Sequence, residues 1–332
     1  MKLKIGFTYD AKNDYPLHPG DNPDKYAEFD SEDTIREITD ALKTSGHQIV
    51  RVGNIRSFIK QVNAGEKYDF IFNICEGIKG RNRESQAPAV FEVYDTPYSG
   101  SDALTMGLTL DKTMAKRILQ YHGLKTPNFI AVKSVEELSP KKFKLRFPII
   151  VKPSLEGTSK GISRESLCRN FTQLKKRAEW LLETYKQPAL IEEFIIGYEF
   201  TVPVLGNDPP KVLPIVQTAI SGKTDLGDDF YTQARVDSTD INYLCPAEID
   251  KELEEKINTL VLESYKALGC HDVSRIDIRV DYNNEPYFLE CNPLPNIGRI
   301  DVFPLVAKAM GITYEQLLCL VLDASLKRHK LA

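Results

Sequence analysis

The six cysteines, Cys75, Cys168, Cys245, Cys270, Cys291 and Cys319, form no C-x-x-C pair, and the one histidine beside any of them, His271 next to Cys270, is not part of a spaced ligand set. That removes the usual zinc spacings and leaves scattered reduced thiols, most of them packing residues. No apolar run approaches the ~20 residues of a membrane-spanning helix. Behind the charged start Met1-Lys2-Leu3-Lys4 there is neither an apolar h-region nor a small-residue cleavage site. The expectation is a cytoplasmic protein with no membrane partner. Like charges form no block: the formal net charge of -4 is spread over both halves, which argues against a nucleic-acid partner. A G-x-x-x-x-G-K-[ST] phosphate loop, an internal repeat and a low-complexity stretch are also missing.

What is present is an ordinary globular composition, 42% hydrophobic and 27% charged over 332 residues. At roughly 150 residues per domain that makes two or three domains, with a cleft available between them. Lys2 to Tyr9 reads as a buried strand, Ser31 to Ser45 as a helix with Ile35, Ile38, Ala41 and Leu42 on one face, and His47 to Val52 and Tyr68 to Ile74 as further strands. This alternation predicts a parallel sheet with ligand groups at the carboxyl ends of its strands, where the polar loop Gly77 to Gln86 lies. Further on, helices are predicted over Asp111 to Tyr121, Asn170 to Tyr185 and Asp250 to Leu268. Strands are predicted over Pro127 to Val132, Pro148 to Lys152, Ala189 to Ile195, Glu199 to Leu205, Val212 to Gln217, Ile241 to Pro246, Arg275 to Asp281 and Pro286 to Cys291.

Three segments carry chemistry. In Val151-Lys152-Pro153-Ser154-Leu155-Glu156-Gly157-Thr158-Ser159-Lys160-Gly161, a strand delivers a lysine and then a loop whose glycines and small hydroxyl residues let backbone N–H groups approach phosphate oxygens. In Arg275-Ile276-Asp277-Ile278-Arg279-Val280-Asp281, residues two apart share a face, as do Glu290 and Asn292 on the next strand. The turn-like Asp281 to Glu285 makes the two strands a hairpin. Asp277, Glu290 and Asn292 can then meet as oxygen ligands for a hard cation, magnesium above all. Glu192, Glu193 and Glu199 flank the end of an apolar strand, where carboxylates can accept from an adenine amino group or ribose hydroxyls. Each segment taken alone also has a plain reading, as a solvated hairpin, an incidental Arg-Asp face or surface glutamates.

Taken in order, Thr96-Pro97-Tyr98-Ser99-Gly100-Ser101, Asp111-Lys112, Val151-Lys152-Pro153 with its glycine loop, Ile191-Glu192 with Gly197-x-Glu199, Cys245-Pro246-Ala247, Arg275-x-Asp277 and Leu289-Glu290-Cys291-Asn292-Pro293 resemble the D-alanine–D-alanine ligase branch of the ATP-grasp superfamily over nearly the whole chain. The resemblance implies an α/β fold, a three-domain ATP-grasp with an N-terminal Rossmann-like parallel-sheet domain: 1–103, 104–190, and 191–332 with the metal site. It implies ATP as cofactor with two magnesium ions (manganese is an alternative), small-molecule carboxylate and amine substrates, and a homodimer as one option. By motif position, Lys112, Lys152, Glu156, Gly157 and Ser159 would contact ATP phosphates. Glu192 and the Ile195 backbone would meet adenine and Glu199 the ribose, with Glu193, Phe288 and Arg235 as further cofactor-binding residues. Asp277, Glu290 and Asn292 would hold the metals. Arg275 would stabilise the acyl phosphate and the tetrahedral intermediate, with Thr158 and Arg235 as further catalytic groups.

The departures fall on substrate contacts. The family's first-domain Glu corresponds to Glu28 or its neighbour Phe29, its loop Ser to Thr158, its mobile-loop Tyr to Val236 and its mobile-loop Lys to Arg235. Its active-site His is matched by Glu76, its oxyanion-region Gly by Asn296, and the Ser that binds the second substrate's carboxylate by Asp301, for which Arg299 would compensate. The same reaction on altered substrates is therefore expected, with the segment Tyr9 to Ala27 as a further pocket wall. The alternatives are a genuine D-alanine–D-alanine ligase, a ligase attaching an amino acid to a non-peptide metabolite as in mycosporine biosynthesis, and a nucleotide-binding protein without catalysis.

Overall fold

The computed structural model describes residues 2–235 and 238–332. The first sheet forms from β1 (Lys4–Tyr9), β2 (Gln48–Gly53) and β3 (Phe70–Ile74), in the order β2-β1-β3 with both pairings parallel. β1 and β3 are buried almost throughout, as their apolar runs predict. Between β1 and β2 lies α1 (Glu32–Lys43), whose Ser31 cap accepts from the Thr34 N–H and whose buried face carries Ile35, Ile38, Ala41 and Leu42. Three helices absent from the sequence reading follow: α2 (Ile55–Asn63), α3 (Gln86–Val93) and α4 (Ala103–Leu110).

α5 (Lys112–Tyr121) starts at Asp111, whose carboxylate accepts from the Thr113 and Met114 N–H groups. The second sheet contains β4 (Phe129–Val132), β5 (Ile149–Pro153), β6 (Leu167–Cys168) and β7 (Ala189–Glu193), antiparallel in the order β4-β7-β5-β6, with α6 (Phe171–Tyr185) packed on it through Leu174, Ala178 and Leu181.

The third sheet contains β8 (Gly197–Leu205), β9 (Lys211–Val212), β10 (Val216–Ile220), β11 (Ile241–Leu244), β12 (Val273–Asp281) and β13 (Pro286–Asn292), with α7 (Lys251–Ala267) on one face. Its main path runs β11-β10-β8-β12-β13. The single strand expected over Val212 to Gln217 is two, because Pro214 between them has no N–H to donate to a ladder. The chain ends in α8 (Phe303–Ala309) and α9 (Tyr314–Arg328). No single helix among the described residues is long and apolar enough to cross a membrane.

Cores do not follow chain order. Ala115 and Leu119 of α5 belong to the third sheet's core with Phe200, Ile257, Ile276 and Phe288. Leu317, Val321 and Leu322 of α9 complete the core of the first sheet with Ile5, Phe7 and Ile35. Arg328 fastens these bodies together: its guanidinium donates to the Tyr98 and Gly100 carbonyls at 3.0 and 2.9 Å and to Asp272 at 2.7 Å. The carboxyl ends of β1 and β3 therefore face the second and third sheets across one cleft.

Candidate active site

The cleft has a volume of about 1050 Å³ and takes walls from all three sheets. On its third-sheet wall the β12–β13 hairpin sets Asp277 opposite Glu290 and Arg275 opposite Asn292, the juxtaposition the alternation predicts. Asp277 accepts from the Thr201 hydroxyl at 2.9 Å and the Asn292 amide at 3.1 Å, and pairs with Arg275 at 3.3 Å. Burial and the neighbouring Glu290 charge push its carboxyl above the ordinary range. Burial acts in the same sense on Glu290, but Lys112, at 2.8 Å, and Lys152 outweigh it and hold that carboxyl down to about 2.

The pairing skips Leu289, because Asp277 faces Glu290 while Ile278 faces Phe288. This bulge corrects one expectation. Leu289 lines the cleft, whereas Phe288 is fully buried in the core and contributes its carbonyl to Lys116 and Thr126.

On the opposite wall Lys152 leaves β5 and pairs with Glu192 at 2.6 Å. Glu192 is 1% exposed and also meets Lys116 at 2.9 Å. Burial pushes the Lys116 ammonium down to about 8 against the pull of Glu192. Lys116 escaped the sequence reading although it stands one helical turn beyond Lys112 on α5. Glu193, Ile195 and Glu199 all line the cleft. Glu193 is held by Arg146 and Asn128, and Glu199 pairs with Arg279 at 2.9 Å.

The glycine loop contributes Glu156, Gly157, Thr158 and Ser159 to the lining. Glu28 crosses to this loop from the first sheet, accepting from the Gly157 N–H at 2.8 Å, Lys160 at 2.6 Å and Arg83 at 2.7 Å. A Cβ on Gly157 would stand 2.6 Å from the Glu28 carboxylate, so this approach needs glycine. Glu28 thus meets the loop as expected, but through the Gly157 N–H; Thr158 is exposed and makes no hydrogen bond to it. Phe29, the other position considered, is buried against Tyr15 and Tyr26. Lys12, Tyr15, Leu17, Pro23, Asp24, Tyr26 and Ala27 line the cleft, so the predicted wall from the first-sheet segment is real. Asp24 ties it to Tyr185 at 2.6 Å.

Glu76, Asn296 and Asp301 line the cleft too. Arg299 does not: it pairs with Glu315 and lies over the Tyr314 ring at 4.3 Å, so it cannot compensate Asp301. Arg275 does so instead, at 3.1 Å. Arg235 is likewise held away from the cleft, by Asp229 at 2.6 Å and Asp240 at 3.2 Å. Val236 lies outside the described residues.

Two antiparallel sheets closing a lysine-lined cleft over a carboxylate hairpin define an ATP-grasp ligase, an enzyme that forms carbon–nitrogen bonds with ATP. Residues 118–323 match the family model described as D-ala D-ala ligase C-terminus. The D-alanine–D-alanine ligase of Carboxydothermus hydrogenoformans is 34% identical over 284 residues, covering 83% of this chain and 87% of that one. The uncharacterized protein y4sG of Sinorhizobium fredii is 33% identical over 267 residues, covering 78% and 75%. The crystal structure of the Bacillus anthracis D-alanine–D-alanine ligase complexed with ATP superposes with a TM-score of 0.77 at 26% identity, covering 99% of each chain. The chain belongs to the D-alanine–D-alanine ligase family.

Proposed function

We propose that the protein activates a small-molecule carboxylate as an acyl phosphate and passes the acyl group to an amine, acting in the cytoplasm as three units, 1–103, 104–190 and 191–332. The observation that carries this reading is the Asp277–Glu290 pair on adjacent strands, with Lys112, Lys152 and Arg275 converging on it.

The donor set suits magnesium. It is two carboxylates and an amide oxygen, with Asp277 disfavoured as a bare buried anion. Asp277, Glu290 and Asn292 would hold two such ions, whose charge would neutralise the phosphate oxygens. The protein's own groups do the positioning. Lys112 and Lys152 meet the phosphates, with Glu156, Gly157 and Ser159 of the loop beside them. Glu192, Glu193 and the Ile195 backbone border the adenine, and Glu199 the ribose. Arg275 places a fixed positive charge where the acyl phosphate and then the tetrahedral oxyanion develop. Catalysis by positioning and charge neutralisation requires no nucleophilic side chain. Closure of the segment from Ser221 to Asp240 would exclude water, and Arg235 would then exchange Asp229 and Asp240 for phosphate.

The substrates differ from those of D-alanyl-D-alanine synthesis. Arg275 is already shared between Asp277 and Asp301. An acceptor carboxylate arriving there would have to displace Asp301 or stand beside it. Two like charges ~4 Å apart at an effective dielectric near 20 repel by about 4 kcal/mol. The test is ADP release from Mg-ATP with paired pools of D- and L-amino acids, diamino acids and amino-acid amides. Efficient turnover of D-alanine alone at low millimolar concentration would instead favour a genuine D-alanine–D-alanine ligase. ADP release with none of the pools would remove the ligase reading.

A further inference from the structure

The glycine loop follows a backbone path that ordinary residues avoid. Thr158 and Ser159 stand at φ values of 48° and 53°, and Gly161 follows at 68°. The left-handed region is costly for a β-branched residue such as Thr158, and it persists where surrounding contacts hold the chain in place. At the loop's entry that contact is the Gly157 N–H on Glu28, at 2.8 Å. At its exit the holder is Arg177 of α6, whose Nη2 donates to the Gly161 carbonyl at 2.6 Å and to the Ser166 hydroxyl at 2.9 Å. The next residue, Ile162, lines the cleft, and its carbonyl accepts the Gln233 N–H at 3.1 Å. The exit is thus the joint between the glycine loop and the segment 221–240.

Arg177 is buried, and both of its hydrogen-bond acceptors are neutral. Burial pushes its guanidinium below the ordinary arginine range against the pull of Glu165, a carboxylate that instead accepts from the Ser163 hydroxyl at 2.5 Å. Trp180, one helical turn on, covers the charge with its ring centroid 4.0 Å from Cζ. Tyr185, at the end of α6, closes the same exit from another side: a Cβ on Gly161 would stand 2.8 Å from its ring and 2.9 Å from Pro153. A buried guanidinium without a carboxylate is expensive to keep for packing alone, where an apolar side chain would serve. Its bond to the Gly161 carbonyl gives that expense a purpose.

We infer that Arg177 is a positioning residue for ATP, setting the glycine loop from behind by its hold on the Gly161 carbonyl. This rests on the reading of the loop as a phosphate cradle and deepens it. Arg177 is not part of the cleft lining. What it fixes is the course of the backbone from Thr158 to Ile162, and with it the N–H groups presented to phosphate oxygens. Both bonds leave one nitrogen, so a lysine ammonium can take them over and a methionine cannot.

The experiment compares the full chain with Arg177→Met and Arg177→Lys, by calorimetry with magnesium and a non-hydrolysable ATP analogue, by steady-state kinetics and by hydrogen exchange. Arg177→Met is expected to bind the analogue at least tenfold more weakly and to raise the KM for ATP by a similar factor, with kcat and the KM for the other substrates within threefold. Arg177→Lys should stay within threefold of the unaltered protein throughout, a rescue that a merely space-filling arginine would not show. Without nucleotide, the Lys160 and Ile162 amides, each hydrogen-bonded within the loop at 3.0 Å, should exchange at least tenfold faster in Arg177→Met, while those of β5 and β7 are unchanged. Unaltered affinity for the analogue in Arg177→Met, unaltered exchange at the two loop amides, or a lysine variant as weak as the methionine one would overturn the inference. If the unaltered protein neither binds the analogue nor releases ADP, the ATP reading fails, and the exchange rates decide the loop's dependence on Arg177 by themselves. Should Arg177→Met not fold, Trp180→Ala, at a position 41% exposed, takes its place. At least threefold weaker binding and faster loop exchange are then expected, and no change in either would sink the inference.

Discussion

The two walls of the cleft treat buried charge in opposite ways. Around the phosphate site every carboxylate has a cation: Glu192 lies between Lys116 and Lys152, Glu290 against Lys112, Asp277 and Asp301 on Arg275, and Glu199 on Arg279. On the first-sheet wall Glu28 takes Arg83 and Lys160 at 2.7 and 2.6 Å, Glu84 stands farther from Arg83 at 3.6 Å, and Asp30, Glu76 and Glu84 have raised pKa values because burial outweighs the cations near them. A matched network fixes lysines and carboxylates before ATP arrives, which is what catalysis by positioning requires. A wall where burial outweighs the cations carries a cost in stability instead.

Breaking the matched side should have the largest effect. Asp277→Ala or Glu290→Ala removes a candidate metal ligand, and the latter also leaves Lys112 without its carboxylate. ADP formation should fall by about three orders of magnitude or more, while circular dichroism and the melting temperature show a folded protein. Turnover at the wild-type rate in either variant would remove the metal assignment.

The acidic wall gives a prediction of opposite sign, in stability rather than rate. Asp30 is raised from its ordinary 3.8 to about 7. Between those values the folded protein keeps a proton that the unfolded chain has released, so stability falls as pH rises through that window. Above pH 7 the cost is fully present, and below pH 4 it is gone. Asp30→Asn should therefore stabilise the protein at pH 8 by ~2–4 kcal/mol at ~1.4 kcal/mol per unit, and do nothing near pH 4. Denaturant titration at the two pH values measures this, and a variant no more stable at pH 8 would count against the pocket's electrostatics.

Asp301→Ser sharpens the comparison by freeing one face of Arg275. Turnover of acceptors bearing an α-carboxylate should rise ten- to a hundredfold relative to their amides, and an unchanged ratio would show that Asp301 does not set acceptor choice. The smallest effect concerns closure. Asp229→Ala releases Arg235 from a pair worth ~1 kcal/mol at its partly exposed position. It should change the KM for ATP only a few-fold and increase the protection that an ATP analogue gives residues 221–240 against proteolysis. Equal cleavage with and without the analogue in both proteins would argue against closure over ATP.

The site was most legible where the chemistry lies in one local pattern. The β12–β13 hairpin places Asp277, Glu290 and Asn292 by strand alternation alone, and the α1 face and its Ser31 cap follow from helical spacing. It was least legible where long-range pairing decides. Lys116 and Arg83 look like surface residues until Glu192 and Glu28, remote in the chain, bury them. Arg299 reads as a pocket group until Glu315, on α9, holds it outside. One extra residue in β13, Leu289, separates the expected cofactor contact at Phe288 from the side chain that faces the cleft. A signal for α9 was available, since Thr313 and Gln316 form a capping box ahead of Leu317, Leu318, Val321 and Leu322. Its place in the first sheet's core, far along the chain, was not readable.

The central claim is that a carboxylate is activated as an acyl phosphate on the matched wall. Turnover with a donor labelled with ¹⁸O in its carboxylate tests it most directly, by mass analysis of the phosphate released. The account predicts one labelled oxygen transferred to each inorganic phosphate, with ADP formed in equal amount. Unlabelled phosphate, or AMP and pyrophosphate in place of ADP, would contradict it.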